Sequence, residues 1–157
     1  MKTLEIKSNL LLELIKYGNS SPHDEVIALG TGTIKGDVLT CTEITKIKNV
    51  VKDPKYKEIA KMYGINASTD YIPDPDDFFK VISKTKLVNS MSTKELVLIF
   101  HTHPRNLPNP SSTDITGANY RAIYVIYSPL YKRIKAYYSD DTVRYEPAYL
   151  NSKAKDK

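Results

Sequence analysis

Cysteine occurs once, at Cys41, and histidine three times in the 157 residues. A single cysteine excludes an intramolecular disulfide framework, a cysteine-rich zinc ribbon and the Pro-Cys-x-x-Cys element that holds zinc in base deaminases. Cys41 reads instead as a small strand residue. No apolar run approaches membrane-spanning length, and Met1 to Ile6 alternates charge and apolarity without the hydrophobic stretch of a signal peptide. A soluble cytoplasmic protein with no membrane partner is the expectation. Repeats, low-complexity segments and Arg-rich signatures are absent as well. The net charge of +5 and pI near 9.1 would suit an acidic partner, but the lysines are spread along the chain. The twelve tyrosines, Tyr120, Tyr124, Tyr127, Tyr131, Tyr137 and Tyr138 among them, fall mostly in apolar strand patterns, so they read as core and sheet-surface residues, not base-stacking ones. Nucleic acid is not the expected partner.

A chain of 17.8 kDa can bury a core as one domain without staples. That domain is expected over residues 1–150, with residues 151–157 a flexible basic tail. Thr3 to Lys7 reads as a strand, and Ser8 can cap an amphipathic helix through Tyr17 that ends at Gly18 and Asn19. Glu25 to Thr33 and Val38 to Val50 read as strands joined by a Gly36-Asp37 turn. Lys52 to Ser68 reads as an insertion, with Asp53-Pro54 opening a short helix that Gly64 closes. Asp76 to Leu87 is expected to be helical, Leu96 to His103 a strand, Ser112 to Tyr120 a short helix, and Ile123 to Tyr127 and Ile134 to Tyr138 strands. Strands of mixed connectivity alternating with a few helices make an α+β domain, a mixed β-sheet flanked by helices.

The chemistry concentrates in His101-Thr102-His103-Pro104-Arg105-Asn106-Leu107-Pro108-Asn109-Pro110-Ser111-Ser112-Thr113-Asp114, at the polar end of the apolar run Leu96 to Phe100. Successive strand residues point to opposite faces, so His101 and His103 project from one side of an extended run and can share an ion. A catalytic zinc takes three protein ligands and leaves a fourth position for water, and Asp114 is the nearest carboxylate able to complete the set. Each feature alone has a bland reading: a histidine can be a satisfied structural residue, and Ser111 or Ser112 can cap a helix. Pro104, Pro108 and Pro110 limit the freedom of the loop between the ligands.

The pattern His-x-His, seven residues, Ser-x-x-Asp, with proline after the second histidine, resembles the signature of the JAMM (MPN+) metalloproteases, a family that includes isopeptidases acting on ubiquitin and ubiquitin-like modifiers. The resemblance implies a cytidine-deaminase-like MPN fold. It makes His101, His103 and Asp114 the ligands of a Zn2+ ion, and Ser111 the hydroxyl that steadies the oxyanion. The family also uses an upstream glutamate in a Glu-x-x-Gly-Leu-x-x-Gly context, which Glu25-Val26-Ile27-Ala28-Leu29-Gly30-Thr31-Gly32 matches except at Ala28. Glu25 is thereby the general acid/base. Glu43 is a rival closer to the histidines but lies in a Thr-rich alternating stretch without the apolar-glycine context. Ile72 to Asp77 before Phe78 and Phe79, and the strands at Ala122 to Ser128 and Ile134 to Tyr138, extend the resemblance over most of residues 3 to 145.

The implied function is zinc-dependent hydrolysis of an amide or isopeptide bond at the C-terminal tail of a ubiquitin-like or sulfur-carrier-like protein, the tail pairing with a strand edge beside the metal. Two other readings stay open. A non-catalytic MPN scaffold would lack ligands, whereas this chain has the set. A RadC-like nucleic-acid-associated protein would suit the basic charge, but that branch shows His-Asn-His-Pro-Ser-Gly where this chain has His-Thr-His-Pro-Arg-Asn.

Overall fold

The hydrophobic alternation of the sequence is read out almost strand for strand. In the computed structural model, which describes residues 1–66 and 70–153, Thr3–Lys7 (β1) runs directly into the helix Ser8–Asn19 (α1). Ser8 proves to be the first helical residue and not the cap; Lys7 holds the N-cap position and makes no side-chain cap bond. Ile27–Lys35 (β2) and Val38–Ile47 (β3) pair as an antiparallel hairpin through Gly36, whose φ of +58° is the left-handed conformation that such a turn requires. In the insertion the Asp53 carboxylate accepts from the Lys55 N–H and starts a 3-10 turn, Pro54–Tyr56, which continues as Lys57–Met62 (α2) and stops before Gly64. The last part of that expected segment, near Ser68, lies outside the described residues.

Pro75–Ile82 (α3) is shorter than the expected Asp76 to Leu87. The Thr85 hydroxyl donates to the Ile82 carbonyl, and the chain then folds into turns instead of continuing the helix. Glu95–Thr102 (β4), Ser112–Thr116 (α4), Ala122–Ser128 (β5), Arg133–Ser139 (β6) and Glu146–Lys153 (β7) complete the order. The mixed sheet runs β1-β3-β2-β4-β5-β6-β7, and β7 pairs back in parallel with β1, so the sheet closes on itself. This corrects one expectation: residues 151–153, assigned to a flexible tail, are the end of β7 and pair with Glu5, Ile6 and Lys7. Glu146-Pro147-Ala148-Tyr149-Leu150 has weak alternation, and its extended form comes from two neighbouring strands, a tertiary effect that local propensity does not carry.

β4 and β5 are buried along both faces, because helices cover both sides. On one face α1 lays Leu14 and its neighbours against Ala28, Leu98, Phe100, Val125 and Tyr127. On the other, Ile27, Leu29, Ile99, Tyr124 and Ile126 pack under Phe78, Val81 and Ile82 of α3. Among the described residues no helix is long and apolar enough to cross a membrane.

Candidate metal centre

Strand parity brings the site together. Ile99 belongs to the face covered by α3, so His101, two residues on, opens onto that face, and His103 follows beyond the strand end. The His103 N–H donates to the Tyr127 carbonyl and extends the parallel β4–β5 pairing by one rung. β2 runs antiparallel to β4 with Ile27 opposite His101. Just before that pair the Val26 N–H donates to the Thr102 hydroxyl and the Thr102 N–H to the Val26 carbonyl. Glu25 has the same parity as Ile27, and that register sets it beside the two histidines. Because β4 and β5 are parallel, the chain must cross over between them, and the crossover carries Ser111 and Asp114 back across the end of the sheet.

His101 Nε2 lies 3.3 Å from His103 Nε2, while Asp114 Oδ1 is 3.2 Å from the former and Asp114 Oδ2 3.0 Å from the latter. All three residues are buried. His103 Nδ1 is 3.1 Å from the Leu107 carbonyl oxygen, which can only accept, so Nδ1 carries a proton, and Nε2 is the ring nitrogen that faces Asp114 and His101 and would take an ion on losing its own. Ser111 caps α4 in a reciprocal box: its hydroxyl accepts from the Asp114 N–H at 3.1 Å, and its own N–H donates to Asp114 Oδ2 at 2.9 Å. The cap thus falls on the serine expected to serve the site, and a hydroxyl that accepts here keeps its proton to donate. Glu25 is buried, with one carboxylate oxygen within 4.8 Å of a nitrogen of each histidine. Glu43 is exposed and pairs with Lys94, away from this cluster.

A family model described as prokaryotic homologs of the JAB domain matches residues 7–140. The chain belongs to this family. Solved structures agree on the fold at 16% identity. A protein from Desulfitobacterium hafniense, solved in solution, superposes with a TM-score of 0.70 over 97% of this chain and 94% of that one. A JAB1/MPN domain protein from Archaeoglobus fulgidus gives 0.52 over 95% of each. A structure reported as a metalloprotease-like zinc site in the proteasome and signalosome, named JAMM, gives 0.53 over 96% and 98%. Among the curated proteins none matches.

The donor set of this JAB domain fits a zinc ion. Tetrahedral zinc with ligands near 2.0–2.1 Å places those ligands about 3.3 Å apart, close to the separations among the two imidazole nitrogens and the aspartate. Among the described residues, Glu25 Oε1 is a buried oxygen beside this cluster that has no hydrogen-bond partner. Glu25 could itself be counted as a ligand with the two histidines, whereas Asp114 sets one carboxylate oxygen 3.2 Å and the other 3.0 Å from the two imidazole nitrogens and is the other candidate for third donor.

Electrostatics separates the two carboxylates. Burial alone would raise the Asp114 carboxyl, yet the imidazoles of His101 and His103 and the Ser111 N–H hold it well below the usual carboxylate range. Glu25 has no such partner; burial first, and then the charges of Asp114 and Asp70, push it up to about 10. For His103 burial favours the neutral ring, but the bond and charge of Asp114 and the Leu107 carbonyl outweigh it and raise the imidazole.

Sequence reasoning did not single out three supports. The Asn49 amide donates to the Glu25 carbonyl at 2.9 Å while its oxygen accepts from the N–H groups of Val51 and Ile72, each at 3.1 Å. Thr102 locks Val26, and the Tyr71 ring packs on His101 with centroids 4.8 Å apart. No sequence signal marks them, because each acts through a segment distant in the chain.

Proposed function

We propose that this JAB domain is a zinc-dependent peptidase or isopeptidase that hydrolyses an amide bond at the C-terminal tail of a ubiquitin-like or sulfur-carrier-like protein. The observation that carries the reading is the triangle of His101, His103 and Asp114 with a buried, unpaired glutamate beside it. Zinc in such a site lowers the pKa of a bound water to about 7 and polarises a carbonyl. Glu25 accepts a proton from the attacking water and returns it to the departing nitrogen; burial and the charges of Asp114 and Asp70 raise its carboxyl in the metal-free chain, and a zinc cation held beside it would favour the ionised form that this role needs. The Ser111 hydroxyl donates to the oxygen on which charge develops. Asp114 is held ionised by its neighbours and serves as ligand, leaving proton transfer to Glu25. The modifier class comes from the likeness to JAMM proteases and not from the site itself.

The test is incubation of the purified chain with ubiquitin-like fusions and conjugates, with and without chelator, zinc content being measured in parallel. Cleavage that stops on chelation and returns with zinc is expected. Cleavage that persists after verified zinc removal would overturn the mechanism.

A further inference from the structure

A cleft of about 450 Å³ opens directly beside the metal centre, with Asp114 in its wall. Its floor is the α3-covered face of the sheet, at Ile27, Ile99 and Tyr124. Phe78 and Phe79 of α3 form one side and Tyr120 faces them, the Phe78 and Tyr120 rings lying 5.4 Å apart. Ile27 also stands opposite His101 in the sheet, so the floor of the cleft and the metal ligands are neighbours on one surface. The volume is within the roughly 300–1,000 Å³ typical of ligand sites, and the walls are mainly aromatic and aliphatic, with Asp70 and Thr113 beside Asp114 as the polar part.

Phe79 is 56% exposed although it lines this cleft. A phenyl ring left in water at the mouth of an apolar cleft gains by contact with a second apolar group, which the hydrophobic effect and ring–ring packing both favour. The occupant must also reach the metal centre, because Asp114 belongs to both. A free apolar molecule would satisfy the cleft but would have no bond for the site to cut.

We infer that the cleft is a specificity pocket that takes a bulky apolar side chain, aromatic by preference, from the substrate segment next to the scissile bond. This inference rests on the peptidase reading above and gives it a substrate class: segments bearing an aromatic or large aliphatic residue at one position near the cut, in preference to the same segments with glycine or alanine at that position.

The test uses a peptide library varied one position at a time, with the zinc-loaded wild-type chain and with Phe79→Lys, whose site is already half in water and so tolerates a polar side chain. Cleavage should select Phe, Tyr, Leu or Met at one position, with glycine or alanine there on the order of tenfold slower or worse. Phe79→Lys should lower kcat/KM for the Phe peptide several-fold more than for the Gly peptide. Equal cleavage regardless of side chain, or a Phe79→Lys loss that is the same for Phe and Gly peptides, would overturn the pocket while leaving the peptidase reading standing. Should the wild type cleave no peptide, the same library is titrated onto zinc-loaded Glu25→Gln protein by NMR. Shifts at Phe78, Phe79 and Tyr120 with aromatic peptides would keep the pocket and count against the peptidase, and no shifts would end the inference.

Discussion

Glu25 is a carboxyl that the fold holds at a thermodynamic disadvantage. Burial, Asp114 and Asp70 push it up to about 10, far above its unfolded value, so in the metal-free chain the folded state keeps a proton that the unfolded state releases above about pH 4.5. The sign follows from linkage: below the unfolded pKa both states are protonated and nothing is lost. As pH rises from about 4.5 toward 10 the folded state binds one more proton than the unfolded, and stability falls by up to about 1.4 kcal/mol per pH unit from this group. Glu25→Gln removes that liability. Chemical denaturation of the metal-free proteins should therefore show the variant to be the more stable, by a margin that widens between pH 5 and 8, while its turnover with zinc is lost. A margin independent of pH would mean that Glu25 is ionised in the folded chain. Ser111 is open to a similar separation of roles. Ser111→Ala should cost about 1 kcal/mol of stability through the lost cap and also slow turnover on the order of a hundredfold or more through the lost oxyanion donor. A variant that shows the stability loss alone would assign Ser111 to capping alone.

The elements matter here through their registers. β2 and β4 deliver Glu25 and His101 to one face because Ile27 pairs with His101, and the reciprocal bonds between Val26 and Thr102 hold that register at its end. Asn49 ties the same segment to the chain before α3 by bonding Glu25, Val51 and Ile72. Asn49→Ala leaves the Glu25 carbonyl and two N–H groups without that partner and should cost about 2 kcal/mol. If Asn49 positions Glu25, turnover of the variant should fall while its zinc affinity, set by β4 and the α4 crossover, stays near that of the wild type. Equal losses of both would make Asn49 a general support. The ligand motif was legible in the sequence because His101, His103, Ser111 and Asp114 lie within one short connection and strand parity alone puts the histidines on one side. Glu25 needed the family context, since its approach depends on a pairing between residues far apart in the chain. Asn49, Tyr71 and the aromatic cleft were not legible as site features, because each exists only once separate segments have packed.

At the scale of the whole molecule, closure of the sheet is the feature that local reading missed. The strands from β1 to β6 were legible in approximate extent from alternation and turn residues. β7 was not, since its pairing with β1 joins the two ends of the chain and no local pattern announces it. Leu150 of β7 sits opposite Leu4 and packs against the core on the α1 side. Truncation before Glu146 should thus open the pairing edges of both β1 and β6 and make the chain associate, seen in size-exclusion chromatography as material that elutes earlier than the full chain. A truncated chain that elutes and melts like the full one would show that closure contributes little.

The central claim is that His101, His103 and Asp114 hold one zinc ion while Glu25 stands outside the ligand set. Zinc titration of the metal-free chain against a chromophoric chelator, for the wild type and for the single variants His101→Ala, His103→Ala, Asp114→Ala and Glu25→Gln, measures it most directly. One zinc per chain in the wild type and in Glu25→Gln, with severe weakening in the other three, is the predicted result. Zinc bound undiminished by Asp114→Ala but lost in Glu25→Gln would contradict the account and make Glu25 the third ligand.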